Sequence, residues 1–106
     1  MAIGYLGKTK LAASTNTAVY SVPAGKFTTA NVAMCNIGDY SAKIRLAIVD
    51  GVVADLADED YIEYGATVPA CGILERTGLT LSAGETVVVW ADKGSVTVRV
   101  HGYEEA

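Results

Sequence analysis

The sequence contains few of the residues that cross-link or interrupt a small fold. Its 106 residues include two prolines, two cysteines and one histidine, His101. Cys35 and Cys71 lie far apart and form no CxxC motif, so in a reducing compartment we expect two buried thiols rather than a disulfide or a metal site. A chain of this length can bury one hydrophobic core without such cross-links, and it has no room for a second domain.

Positive charge is also scarce, and long apolar runs are absent. Eight Lys and Arg residues stand against 12 Asp and Glu residues, which gives a net charge of -4 and opposes binding to nucleic acid. No apolar run approaches the roughly 20 residues that span a bilayer, and the first residues lack the charged and apolar regions of a signal peptide. We therefore expect neither a nucleic acid nor a membrane as partner, and a protein that stays in the cytoplasm where it is made.

What the sequence does have is hydrophobic patterning with a period of two. In the segments 43–48 and 96–101, aliphatic residues alternate with polar or small ones, which predicts strands buried on one face. The segment 86–90, Thr-Val-Val-Val-Trp, is apolar without alternation and predicts a central strand. We expect the core to cover one face of that strand and hypothesise that a neighbouring subunit covers the other.

Turn residues separate these segments at short intervals, and together they predict the fold. Gly, Asn, Asp and Pro occur between the strands, so we predict an all-β chain, a single antiparallel β-sandwich or jelly roll of about eight short strands over residues 1–106. The helix candidate 53–60 carries acidic residues toward its C-terminal end, which predicts one turn at most. The predicted strands lie near 3–6, 17–22, 26–36, 40–50, 60–64, 72–76, 85–92 and 95–103.

The stretch 7–16 stands apart because its residues are small, polar and poorly patterned. Two interpretations carry equal weight. It is either a flexible arm that orders on a neighbouring subunit or an ordinary surface loop.

The sequence offers little for catalysis. A lone histidine acts as a general base only where a nucleophile and an orienting carboxylate converge on it, and no such convergence is visible around His101. No nucleophile motif surrounds Cys35 or Cys71. We therefore predict no catalytic and no cofactor-binding residues, no cofactor, and a protein that is not an enzyme.

An acidic stretch supplies oxygen ligands of the kind that calcium prefers. Asp55, Asp58, Glu59 and Asp60, with Glu63 beyond, lack the spacing and central glycine of an EF-hand loop. Because charge runs usually stay solvated, we predict an acidic loop in solvent rather than a metal site.

Aromatic residues are the remaining candidates for a binding surface. Trp90 and the tyrosines have polar tips that suit protein or sugar contacts, but strands are also rich in such residues, and we favour that simpler interpretation. The six tyrosines are Tyr5, Tyr20, Tyr40, Tyr61, Tyr64 and Tyr103.

Nearly the whole chain resembles the small β-sandwich structural proteins found in virions of tailed bacteriophages. The first half resembles an early hairpin of that family and the later segments resemble its second half. The likeness consists of turns and strands rather than catalytic residues. The matching segments are 20–27 and 31–36, then 60–64, 74–79, 83–87 and 96–105.

The resemblance implies a structural protein that is not an enzyme. It implies a viral protein that acts as a capsid decoration or cement protein, binds the major capsid protein or other virion proteins, and resides in the virion after assembly in the host cytoplasm. It also implies a homo-oligomer, for which we favour a trimer. An alternative is a neck, baseplate or tail-fibre-associated subunit. A second alternative, from another class, is a glycan-binding host-recognition module that uses Trp90 and nearby tyrosines.

Overall fold

Eight antiparallel strands form two packed sheets in the computed structural model, which describes residues 3–106. The predicted all-β class is confirmed, and all eight predicted strands are present in order. Two 3₁₀ turns, Val53–Asp55 and Asp58–Asp60, lie where one helical turn at most was expected. The strands are β1 (Ile3–Lys10), β2 (Thr17–Ser21), β3 (Phe27–Asn36), β4 (Ala42–Asp50), β5 (Tyr61–Val68), β6 (Ile73–Leu81), β7 (Glu85–Ala91) and β8 (Val96–Glu105).

The strand order identifies the sandwich as a jelly roll. Sheet A has the order β1-β8-β3-β6, and sheet B has the order β2-β7-β4-β5. The pairs β1/β8, β2/β7, β3/β6 and β4/β5 are successive steps of one long hairpin. Rolling that hairpin up adds the pairs β3/β8 and β4/β7. Of the two predicted forms, a simple sandwich or a jelly roll, the second is observed.

The stretch 7–16, predicted as either a flexible arm or a loop, consists of the end of a strand and a loop. Residues 7–10 are the second half of β1 and pair with β8. Leu11 is buried in the core and donates its backbone N–H to the Val96 carbonyl at 2.9 Å. Ser14 donates to β7 in the same way at 2.7 Å. The flexible-arm interpretation is therefore wrong for residues 7–11, which belong to the sandwich, and residues 12–16 form an exposed loop, as the other interpretation predicts.

Register irregularities within residues 3–106 occur only in pairs that contain an edge strand. Each of β1, β2, β5 and β6 has at least one shift of register against its neighbour. The central pair β3/β8 keeps its register over ten residue pairs, and β4/β7 keeps it over seven. Bulges bend and twist an edge strand, so these edges are poor templates for adding a strand from another chain.

The main core lies between the sheets, and a smaller hydrophobic cluster covers the outside of sheet B. The smaller cluster closes over β7, whose outward side chains would otherwise be exposed. The prediction that β7 is covered on both faces is confirmed, but the second cover is the chain's own β4–β5 connection and not a neighbouring subunit. In this cluster Ala47, Val49 and Val88 pack beneath Val53, Leu56 and Tyr61.

A buried asparagine connects the loops at one end of the sandwich. The Asn36 side chain is fully buried. Its Nδ2 donates to the carbonyls of Tyr40 at 2.7 Å and Val68 at 3.2 Å. Its Oδ1 accepts from the Gly38 backbone N–H at 3.0 Å and from the Ser95 hydroxyl at 2.8 Å. All four hydrogen-bonding positions of the amide are therefore satisfied, as burial requires.

The helical content of residues 3–106 is limited to the two 3₁₀ turns. In this part of the chain, no helix has the length and apolar character needed to cross a membrane.

Candidate functional site

The outer face of sheet A carries a shallow hollow of about 460 Å³. Alternation along β8 turns Arg99 and Thr97 outward, opposite the buried valines of the same strand. In the sheet register Arg99 lies opposite Lys8 of β1, and Thr97 lies opposite Lys10. We call this hollow the basic groove. Its lining residues are Lys8, Thr9, Lys10, Ala33, Cys35, Thr97, Val98 and Arg99.

The groove exists because long side chains stand beside short ones. Ala33 and Cys35 of β3 form a low floor. The side chains of Lys8, Lys10 and Arg99 stand exposed along one side. Within residues 3–106 the ion pairs are Arg76–Glu63 and Lys93–Asp92, and neither involves these three cations. The groove therefore carries three cations without an ion pair on a protein whose net charge is -4, and the exposed Glu75 of β6 lies beyond the Ala33 floor on the same face.

Tyr5 sits at the end of this cationic row. The Lys8 Nζ lies 5.6 Å from the centre of the Tyr5 ring, and the Arg99 Cζ lies 5.8 Å from it. These distances are within the range of cation–π attraction, which partly offsets the repulsion between the two cations. Tyr5 remains about half exposed, so its ring extends the groove with an aromatic surface.

Large apolar and aromatic side chains are exposed on the same face. Tyr5, Phe27, Ile73 and Tyr103 all project outward from sheet A and are between 42% and 65% exposed. Aromatic side chains and Arg are enriched at surfaces that bind other proteins.

The structure separates His101 from both cysteines. His101 lies on the outer face of sheet A, with Tyr5 and Asn31 as its cross-strand neighbours, and its Nδ1 is buried without a hydrogen-bond partner. Cys35 pairs with Thr97, which is four residues before His101, or about 13 Å along the strand. These residues do not form a nucleophile and base pair in the structure.

The two cysteines differ from each other in exposure, and both are free thiols. Cys35 is half-buried in the floor of the basic groove. Cys71 is exposed in the turn between β5 and β6, where its φ is 58°. The expectation of two buried thiols is wrong for Cys71, because a turn position at the sandwich surface leaves its side chain outside the core.

The acidic residues are distributed over the β4–β5 connection, residues 51–60. Asp55 and Asp60 each accept a backbone N–H three residues earlier, at 3.3 and 2.9 Å. Asp58 and Glu59 are exposed at the second 3₁₀ turn. Glu63 lies in β5 and pairs with Arg76 of sheet A instead. In residues 3–106, no three Asp, Glu, His or Cys side chains converge in the way that a metal ion requires.

An aromatic cluster occupies the outer face of sheet B beside this connection. The Arg45 guanidinium lies between the rings of Trp90 and Tyr64, with its Cζ 4.0 and 4.4 Å from their centres. Tyr61 packs edge-on to Tyr64, with the ring centres 4.8 Å apart. Asp58, Tyr61 and Tyr64 line a hollow of about 280 Å³. The structure therefore brings Trp90 together with two of the six tyrosines, and Arg45 covers the Trp90 ring.

Tyr20 is buried in the core and is not part of a binding surface. Its hydroxyl lies 2.7 Å from the Thr28 Oγ1 and donates to the Glu104 Oε2 at 2.6 Å. Burial, and then the hydrogen bond to Glu104, raise the pKa of Tyr20 to about 12. The phenol is therefore neutral at physiological pH and holds β2 to the ends of β3 and β8.

Comparison with known protein families, with curated proteins and with solved structures finds no match to this chain. The case for a function therefore comes from the two outer faces and from the likeness seen in the sequence.

Proposed function

We propose that this chain is a non-enzymatic structural subunit of a tailed-phage virion, a decoration or cement protein on the outside of the capsid. The observation that carries the proposal is the outer face of sheet A. This face exposes four large apolar or aromatic side chains and a basic groove, with Tyr5 and Ile73 near the groove and Phe27 and Tyr103 toward the other end of the sheet. A surface of that composition suits contact with other proteins.

The fold is consistent with this role. Eight-stranded jelly rolls occur in viral capsid domains, although lectins and cupins use them as well. The fold is therefore compatible with a capsid role but does not select it, and the argument for that role rests on the surface of sheet A. The edges, with their bulges, favour docking through a sheet face over the addition of strands.

A cement protein acts through many weak contacts that are made at once. A symmetric lattice of major capsid protein offers one equivalent site per local symmetry axis. An oligomer of this chain, a trimer in the form we favour, would engage several capsid subunits together, and its avidity would exceed the affinity of one contact. Such binding adds cohesion to a shell under pressure from packaged DNA.

The proposal predicts that one face of the protein mediates binding to particles. Particles assembled without this chain should bind the purified protein and then release their DNA at a higher temperature. Ile73→Glu should weaken this binding about tenfold or more, because it places a charge within a dry contact. The matched control is Ile62→Glu in β5, an exposed isoleucine on an edge strand of sheet B. Binding is measured by co-sedimentation with the particles.

Two results of that experiment contradict the proposal. One is that the wild-type protein does not bind the particles at any concentration. The other is that the Ile73→Glu and Ile62→Glu variants lose binding equally, which would remove sheet A from the contact. The alternative location in the virion is the neck, baseplate or tail fibre. The copy number per particle distinguishes that location from the capsid.

A glycan-binding module is the second candidate function, favoured by the aromatic cluster on sheet B. Tyr64 is 64% exposed and lines a hollow with the Asp58 carboxylate, and a ring beside a carboxylate is a suitable pair for a sugar. Trp90, the only tryptophan, reports on this cluster by fluorescence. A saturable fluorescence change with host surface glycan that Tyr64→Ala abolishes would favour this candidate. No change would favour the virion role.

A further inference from the structure

The basic groove and the acidic connection lie on opposite surfaces of this protein. The basic groove, with Lys8, Lys10 and Arg99, lies on the outer face of sheet A. The acidic β4–β5 connection, residues 51–60, lies on the outer side of sheet B. Because the two sheets pack together through their inner faces, these two surfaces point in opposite directions and do not neutralise each other within one molecule.

The register of sheet A places like charges directly opposite each other. Lys8 and Arg99 are cross-strand partners in the β1/β8 pair. Like charges in such positions destabilise a sheet. Within residues 3–106 neither forms an ion pair, and the Tyr5 ring lies within cation–π distance of both, at 5.6 and 5.8 Å. A negatively charged partner in the groove would remove this repulsion.

We propose that the basic groove binds the acidic connection of a second copy of this chain. The connection presents Asp58 and Glu59 exposed at its second 3₁₀ turn, on the side of the molecule opposite the groove. Charge complementarity selects this occupant from the surfaces of the chain itself. The net charge of -4 opposes nucleic acid as the occupant instead.

The geometry makes the contact head-to-tail. Each copy uses its groove toward one neighbour and its acidic connection toward the other, so the two surfaces in contact are different. Such heterologous contacts propagate into a ring if the rotation closes and into a line if it does not. Exposed ion pairs are individually weak and are screened over about 8 Å at physiological salt. The association is therefore weak in solution and strongest at low ionic strength.

The first test measures self-association by sedimentation velocity over a range of protein concentrations, at low and high salt. The wild-type protein associates at low salt and dissociates at high salt. Lys8→Glu/Lys10→Glu weakens the association about tenfold or more. The control Lys26→Glu/Lys43→Glu has the same change of net charge outside the groove and leaves the association in place. A wild-type protein that stays monomeric at low salt overturns the proposal, as does an equal loss in the control.

The second test uses two variants that cannot associate alone. Lys8→Glu/Lys10→Glu has two acidic surfaces, and Asp58→Lys/Glu59→Lys has two basic ones. Each is monomeric by itself, and a mixture of the two associates at low salt because both of its contacts are complementary. A mixture that stays monomeric overturns the proposal, since reversed charges on two true partners must attract.

Self-association through the groove does not depend on the virion role. A protein that passes both tests but fails to bind phage particles would keep this inference and lose the proposed function. A protein that binds particles as a monomer, through a groove that captures an acidic segment of the capsid protein, would keep the function and lose this inference.

Discussion

At the residue scale, the buried side-chain amide of Asn36 stabilises the fold through four hydrogen bonds. Asn36 lies at the end of β3, and its side chain bonds to three different loops. Period-two alternation places residue 36 on the inward face, where an apolar side chain would be expected. The asparagine is accommodated because the loops at this end of the sandwich provide two acceptors and two donors for it.

Replacing Asn36 should therefore destabilise the protein strongly. We expect Asn36→Ala to lower the free energy of unfolding by about 3 kcal/mol, because four hydrogen bonds are lost and the buried loop groups are left unpaired. The matched control is Asn31→Ala in the same strand. Asn31 lies on the outer face and accepts one hydrogen bond, from the Gly78 N–H at 3.0 Å, so its loss should cost less than about 1 kcal/mol.

Chemical denaturation of both variants tests this comparison. Equal losses of stability for Asn36→Ala and Asn31→Ala would show that the loops do not depend on the buried amide.

The Tyr20 phenol makes stability depend on pH at the alkaline end. Its pKa rises from the ordinary tyrosine value of 10.0 to about 12 in the fold, so the native state holds the proton more tightly than the unfolded state does. The stabilisation is complete below pH 10 and is lost as the pH rises through 12. It amounts to about 3 kcal/mol at most, from the size of the pKa shift.

This dependence is measured by comparing the wild type with Tyr20→Phe in thermal melts between neutral pH and pH 12. The wild-type Tm should fall more steeply above pH 10 than the Tm of the variant, which lacks the buried phenol. Parallel curves would mean that the buried phenol contributes nothing to the alkaline transition.

At the element scale, the sequence pattern predicts most strands but fails where a bulge changes its phase. β1 was predicted to end at residue 6, and it continues to Lys10. The register against β8 shifts between Tyr5 and Gly7, so the alternation restarts and the later residues no longer fit the earlier pattern. β6 runs past its predicted end at residue 76 for the same reason, since its register against β3 also shifts there.

Close contact between strands explains the composition of the second half of β1. A Cβ at Gly7 would lie 2.3 Å from the Val19 carbonyl oxygen of β2, so only glycine fits where the two sheets approach each other. Glycine has no side chain that contributes to a hydrophobic pattern. The stretch therefore looks like a loop in the sequence although it is an edge strand.

The β7 strand shows what local patterning can and cannot predict. The run 86–90 correctly predicts burial on both faces, because its outward residues Thr86 and Val88 are buried and Trp90 is half-buried. It does not predict what provides the second cover. Val53 and Leu56, which supply that cover, lie 30 or more residues earlier, in a connection whose acidic residues dominate its sequence.

At the scale of the whole molecule, the candidate surfaces depend on strand register, which no local pattern encodes. Alternation alone predicts that Arg99 and His101 face outward. That Arg99 meets Lys8 follows only from the pairing of the first strand with the last. The same is true of Arg45, which reaches Trp90 and Tyr64 because β4 lies between β7 and β5.

Under the two proposals, the molecule makes its contacts through its faces. Its edge strands carry bulges, its sheet A face carries exposed aromatic side chains and a basic groove, and the opposite side carries an acidic connection. If both proposed contacts form, the protein has two different docking faces and protected edges, which suit a regular assembly in which many copies repeat the same contacts.

Quantitative mass spectrometry of purified, DNA-filled phage particles from the producing host tests the central claim most directly. The measurement counts this chain relative to the major capsid protein. A decoration protein should be present at a ratio near one, or near one third, as lattice symmetry requires. A ratio of a few per hundred would move the chain to the neck or tail, and its absence from the particles would contradict the virion role.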